Sequence, residues 1–337
     1  MKLALFAGLG VTSTLTLSSG PDVAFAVEAG AKHQKTYAHT LQLEVESGMM
    51  RIDDEEDPMP DDFSLTLSHD VTRVFVDHYT SCEGGRPTGL ERTLTEYDDI
   101  TSGLIQEGPG DGKEIEITME SELTGEALRW QWSEDAYGVR PAEEESDLDE
   151  DLLDGLTFDL DGLALMPEEG TDPSSGWEIE GDALQGLLCP GGDITCMPTE
   201  AFEDENDSVL RVLALLPALG ELSGSVEIRP TDDESTFEVT GELSASTDAW
   251  SYIEAWAADS DDPFFNEVTA LEVGTDLDLE GSLTWDSELG CMTSFELNAG
   301  VERTLIIEGQ QRDMTMELEM LFTGEAEWTL EVEPVRG

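Results

Sequence analysis

The chain has 337 residues, enough for a sizeable core, and 39% of them are hydrophobic, which excludes a disordered acidic tail. Its 78 acidic residues against 15 Lys and Arg give a formal charge of −63, a field that repels nucleic-acid phosphate and anionic membrane surfaces. Divalent cations and basic proteins are the partners such a surface attracts.

The N-terminus reads as a secretion signal. Lys2 supplies a positive start, residues 3–17 are uncharged and largely apolar, Pro21 breaks the run, and Ala24-Phe25-Ala26 fits a cleavage site. Residues 1–26 are expected to be removed as a signal peptide. Residues 27–337 then form a single β-rich exported region, periplasmic, surface-associated or extracellular. No further stretch is long and apolar enough to cross a membrane as a helix.

Period-two alternation dominates the rest of the chain. Tyr37, His39, Leu41, Leu43 and Val45 share one face of a strand, with Thr40, Gln42 and Glu44 on the other. Phe63, Leu65 and Leu67 alternate with Ser64, Thr66 and Ser68. His39 and His69 fall within strand patterns and read as satisfied structural residues. Ile115, Ile117 and Met119 alternate with Glu and Thr, Leu277, Leu279, Leu283 and Trp285 mark another strand, and Phe295, Leu297 and Val301 lead toward Leu305 and Ile307 through a bend at Gly300. The last strand is the clearest: Met314, Met316, Leu318, Met320 and Phe322 share a face. Gly-rich turns at 84–85, 108–112 and 191–192 separate strands, and acidic loops fill 53–62, 143–154 and 203–207.

Short helices are expected at 182–188, ended by Pro190-Gly191-Gly192; at 208–219, bent at Pro217; and at 249–257, capped by Thr247 or Asp248. One-sided strands belong to an antiparallel sheet with one wet face. The expected fold is therefore mainly β: a large antiparallel, strongly curved sheet, half-barrel or sandwich, with two or three short helices. Thr124-Gly125-Glu126-Ala127 recurs as Thr323-Gly324-Glu325-Ala326, each copy ahead of a Trp. If this is a true repeat, the chain is two related halves, about 27–200 and 222–337.

Four cysteines in an exported chain suggest two disulfides. Cys189–Cys196 is favoured because Pro190-Gly191-Gly192 can fold the chain back between them, leaving Cys82–Cys291 to tie the two ends together. Buried thiols or a metal site are the alternatives, the latter without a C-x-x-C pair to support it.

The stretch from Trp177-Glu178-Ile179 to Leu187-Leu188-Cys189-Pro190-Gly191-Gly192-Asp193, with Leu283-Thr284-Trp285-Asp286 and the long Thr/Glu/Met strands, resembles uncharacterised exported acidic β-rich proteins of planctomycete-type and myxobacterial genomes. The resemblance covers scattered parts of the chain and implies no activity.

Asp276, Asp278 and Glu280, followed by Gly281, have the spacing of the first half of a calcium loop, but position twelve is Ser287 and the run also fits a strand. Calcium is the cofactor considered, and none is required by a motif. With 78 acidic residues a glycosidase-like carboxylate pair carries no discriminating signal. No nucleophile elbow, phosphate loop, dinucleotide fingerprint or H-E-x-x-H is present. The soft face of Met314, Met316, Leu318, Met320 and Phe322 suits a lipophilic small molecule as well as an ordinary core. The expected function is that of an exported, non-enzymatic binding or structural protein of the cell envelope, with a lipophilic ligand on this face. A carboxylate-based extracytoplasmic hydrolase and a divalent-cation-stabilised module are the alternatives.

Overall fold

The computed structural model describes residues 23–53, 55–60, 62–107, 112–133, 136–143, 146–158, 162–167, 171–192, 194, 196–199, 219–233, 235–250, 268–311 and 314–335. The strands are β1 Lys32–Ile52, β2 Glu55–Pro58, β3 Phe63–Glu83, β4 Arg86–Glu107, β5 Lys113–Glu120, β6 Ala127–Ser133, β7 Ala136–Pro141, β8 Trp177–Glu180, β9 Met197–Pro198, β10 Glu221–Pro230, β11 Thr236–Asp248, β12 Val268–Asp286, β13 Cys291–Gln311 and β14 Met314–Pro334. They form one large antiparallel sheet of 14 strands, not closed, whose main path runs β7-β6-β4-β3-β1-β14-β13-β12-β11-β10-β8. The first and last long strands are neighbours near its middle, with Tyr37 opposite Leu330 and His39 opposite Trp328.

Alternation decides which side is dry. On β1 the odd positions His33 to Leu43 are buried, and on β14 Phe322, Ala326, Trp328, Leu330 and Val332 are buried, while Glu44, Glu325 and Glu327 face water. The acidic residues thus lie largely on the opposite, hydrated face. Strand β4 changes phase at a bulge between Leu94 and Glu96, where the Thr95 hydroxyl donates to the Val74 carbonyl at 3.0 Å. The extra residue lets Leu90, Arg92 and Leu94 and then Tyr97, Asp99 and Thr101 all be buried despite opposite parity.

The chain between β7 and β10 packs against the dry face. Leu165, Trp177, Leu184, Leu187 and Leu188 join the main core, and Phe158 and Ile194 join a smaller core with Phe75, Tyr79, Leu90 and Trp130. The α-helix of its described residues, α1 Gln185–Leu188, continues a 3-10 turn at Gly181–Leu184, which together fill the helix expected at 182–188. The helix expected at 208–219 lies, apart from Leu219, outside the described residues, as does the one at 249–257 beyond Ala249 and Trp250. Strand β13 passes through Gly300 without a break, Gly300 pairing with Asp278 and Glu325. The two Thr-Gly-Glu-Ala copies occupy different settings: Gly125 sits in a turn at φ 90°, whereas Thr323–Ala326 lies inside β14, paired on both sides.

Candidate functional site

The polar residues of the dry face gather on β1, β3 and β4. Antiparallel register sets Tyr37 opposite Arg73, Arg73 opposite Tyr97, Leu41 opposite His69 and Val71 opposite Asp99. His69 and Asp99 are diagonal neighbours across a strand pair, within reach of side chains of this length. Over them lies the turn after α1, closed by a Gly192 N–H donating to the Cys189 carbonyl at 3.0 Å. Two side chains tie floor to roof: the Tyr37 hydroxyl donates to the Leu188 carbonyl and Arg73 Nη1 to the Pro190 carbonyl, both at 2.7 Å. A cavity of ≈ 400 Å³ remains between them, its lining including His39, His69, Arg73, Tyr97, Asp99, Cys189 and Cys196.

Asp99 organises the floor. One of its oxygens meets His69 Nε2 at 2.9 Å and the other accepts from the Tyr97 hydroxyl at 2.9 Å. Burial works to raise its pKa, but the His69 and Tyr97 bonds, with the charges of His69 and Arg73, outweigh burial and hold it below the usual carboxylate range. Burial raises the Tyr97 pKa, and the Asp99 charge raises it further, so the phenol stays a neutral donor. His39 stacks on Trp328 with ring centroids 4.8 Å apart and meets the edge of His69 at 5.6 Å. Burial, aided by His69 and two arginines, lowers its pKa well below 6.5, so the ring is neutral at neutral pH. Arg73 stacks on Tyr97, 5.5 Å from the ring centroid. Cys189 lies within electrostatic reach of Tyr37, Arg73 and Arg303, and Cys196 hydrogen-bonds Tyr97.

Among the described residues, three buried polar atoms of this floor have no hydrogen-bond partner: His39 Nε2, His69 Nδ1 and Arg73 Nε. His39 and His69, expected as satisfied structural residues, are each satisfied only in part. Asp99 is the one acidic residue of the described lining, so the described residues present no carboxylate pair there. Arg73, Tyr97 and Asp99 carried no motif. The sequence signal that marks them in retrospect is polar residues repeating at period two where apolar ones are usual.

The other sequence-derived candidates fall elsewhere. Phe322 and Met320 are core residues, Leu318 packs against that core, and Met314 is exposed. Asp276, Asp278 and Glu280 lie on the wet face of β12, opposite Ser244, Glu242 and Thr240 of β11. Residues two apart on an extended strand stand about 7 Å apart, whereas a calcium loop wraps its ligands around one ion. Among the described residues no group of three or more His, Cys, Asp or Glu converges as a metal site. Cys189 and Cys196 share the cavity, while Cys82 and Cys291 belong to the smaller core, and no S–S bond joins the cysteines of the described residues.

The fold and site together define an open antiparallel β-sheet protein with a polar cavity floored by its central strands. No protein-family model matches the chain, and comparison with curated proteins finds no significant match.

Proposed function

We propose that this chain is an exported binding protein of the cell envelope that holds a small hydrogen-bonding ligand in the cavity over β1, β3 and β4. The observation that carries this reading is a ≈ 400 Å³ cavity lined by His39, His69 and Arg73, each of which keeps one buried polar atom without a partner among the described residues. Leaving a polar atom buried and unpaired costs about 1–3 kcal/mol, and most such atoms in folded proteins find partners. A ligand toward which these side chains turn offsets that cost on binding. Cavities of this size are typical of small-molecule sites.

A strongly curved sheet, half-barrel in shape, belongs to the same reading. Strands of 21 residues such as β1, β3 and β14 would be about 70 Å long if straight. A compact chain of 337 residues has an expected radius of gyration of about 20 Å. Coiling the sheet around its covering segment reconciles the two. A Cys189–Cys196 disulfide fits beside the cavity that both residues line.

A second reading, a lipophilic ligand at the end of the sheet, is supported by exposed Met50, Ile52 and Met314. Met50 and Ile52 pair with Leu318 and Met316, which continues the apolar face of β14 to the rim.

Native mass spectrometry of the exported protein, reduced and unreduced, separates these readings. A retained small polar molecule supports the cavity site, and retained lipid supports the rim. A bare polypeptide that takes up no small molecule from a library rules out the binding function. The same spectra report whether thiol protons are lost to disulfides.

A further inference from the structure

Two of the four cysteines share one place in the fold. Cys189 caps the C-terminal end of α1, Cys196 precedes β9, and both line the cavity over β1, β3 and β4, each half-buried. The rung beneath them runs Tyr37, Arg73, Tyr97 across the three strands. Cys189 lies within electrostatic reach of Tyr37 and Arg73, and Cys196 hydrogen-bonds Tyr97. Between the cysteines the chain turns through Gly191 and Gly192, both in the left-handed region at φ 89° and 79°.

This segment holds its shape without an S–S bond. The Gly192 N–H donates to the Cys189 carbonyl and the Ile194 N–H to the Gly192 carbonyl, both at 3.0 Å. The Thr157 N–H donates to the Gly191 carbonyl at 3.0 Å, Arg73 Nη1 donates to the Pro190 carbonyl at 2.7 Å, and Ile194 is buried in the smaller core. Opening an S–S bond between Cys189 and Cys196 therefore leaves the roof in place, which a reversibly used disulfide requires.

Charge distinguishes the two sulfurs. Cys189 acts on both Arg73 and Arg303: burial pushes the Arg303 guanidinium down to about 10, and Cys189 works against that shift. Asp99 acts on Arg73 as well. A guanidinium beside a sulfur steadies the negative charge that an attacking sulfur carries, and reactive cysteines sit in such partly exposed, electropositive places. Cys82 and Cys291 are placed differently. They belong to the smaller core, where Cys291 is 1% exposed with its sulfur 3.9 Å from His33 Nδ1.

We propose that Cys189 and Cys196 form a redox-active dithiol site that exchanges with small disulfides, with Cys189 as the attacking sulfur and Cys196 as the resolving one. The Cys189 thiolate attacks one sulfur of an external disulfide; that S–S bond breaks, and the departing thiolate takes up a proton from water. The Cys196 sulfur, its proton passing to water, then attacks Cys189; the mixed S–S bond breaks and a second thiol leaves. One external disulfide is reduced to two thiols, and the protein pair is oxidised to one S–S bond. Excess small thiol runs the same steps backward. The site goes beyond the ligand-binding reading and does not depend on it.

The test uses the full folded chain in buffers of reduced and oxidised glutathione, quenched in acid, alkylated, and read by intact mass and peptide mapping. The expected result is a Cys189–Cys196 S–S bond in oxidised glutathione that opens in reduced glutathione with the far-UV circular dichroism unchanged. In the reduced chain iodoacetamide should label Cys189 about ten-fold faster than Cys291, or more. Cys196→Ser should stall with glutathione held on Cys189. A Cys189–Cys196 bond that persists in excess reduced glutathione marks a structural staple and overturns the proposal, as does a pair that never closes. Glutathione held as readily by Cys291 overturns it too. Should Cys196→Ser not fold, the wild-type titration decides. None of these measurements needs a cavity ligand, so failure here leaves the binding reading standing, and a polypeptide that takes up no small molecule sinks that reading alone.

Discussion

Asp99 accepts from His69 Nε2 across the β3–β4 strand pair at 2.9 Å, and the ring's other nitrogen is buried without a hydrogen-bond partner among the described residues. Asp99→Asn keeps the shape and removes the charge. Charge-assisted hydrogen bonds stabilise by about 1.5–3 kcal/mol each, so the variant is expected to lose roughly that amount in urea denaturation. The sign with pH comes from the depressed folded pKa: the contribution is full above the unfolded carboxylate range and fades as pH falls through the folded value. The gap between variant and wild type should therefore narrow in acid.

His39 titrates in the opposite sense. Its folded pKa is well below its unfolded value, mainly through burial. Below about pH 6.5 the unfolded chain therefore binds one more proton than the folded one, and stability drops by up to about 1.4 kcal/mol per pH unit from this residue. His39→Gln should flatten the stability profile between about pH 6.5 and pH 5. An unchanged slope would mean that other groups dominate it.

Asp77 lies between Lys35 and Arg92, and all three are almost fully buried. Burial works to raise its pKa, but the two cations outweigh burial and hold it far below the carboxylate range. Asp77→Asn strands two cations and should cost about 3–5 kcal/mol. Glu331→Gln on the exposed face of β14 should stay within about 0.5 kcal/mol. Chemical denaturation midpoints of the two variants check the contrast.

Phe25 sits inside the expected cleavage triplet yet is buried, its ring 6.2 Å from that of Tyr79, and the Ala26 N–H donates to the Gly290 carbonyl at 2.8 Å. A chain starting at Val27 loses both contacts. It should be less stable than one starting at Val23 by about 1.5–3 kcal/mol, the usual worth of burying such a side chain. Thermal unfolding of the two chains, beside the N-terminal residue of the exported form, reads this out.

A net charge of −63 repels itself on folding. Ionic strength relieves this over distances beyond the Debye length. The melting temperature should rise from about 0.02 M to about 0.5 M KCl, and a flat profile would show that local pairing already neutralises the field.

Much of the sheet was legible because one face is dry. Alternation at Tyr37–Val45 and Met314–Phe322 arises from a backbone that turns successive side chains to opposite sides, and each apolar residue marks the dry side by itself. The inner face of β4 gave no such mark, because Arg92, Tyr97, Asp99 and Thr101 occupy buried positions and the bulge at Thr95 shifts their phase. The candidate site was hidden for the same reason. His69, Arg73 and Asp99 are set side by side by hydrogen-bond register between strands, and register is a property of paired chains that one strand's residues do not encode locally.

The sequence by itself determined the composition of the two faces, the antiparallel one-sided sheet and the acidity of its exterior, since these depend on the period of single strands and on residue counts. Only the tertiary structure decided that β1 lies between β3 and β14, that the segment after β7 packs on the dry face, and that Arg73, Asp99 and a half-satisfied imidazole gather there. Those relations join residues from distant parts of the chain, and they exist only once the whole sheet is assembled and its face covered.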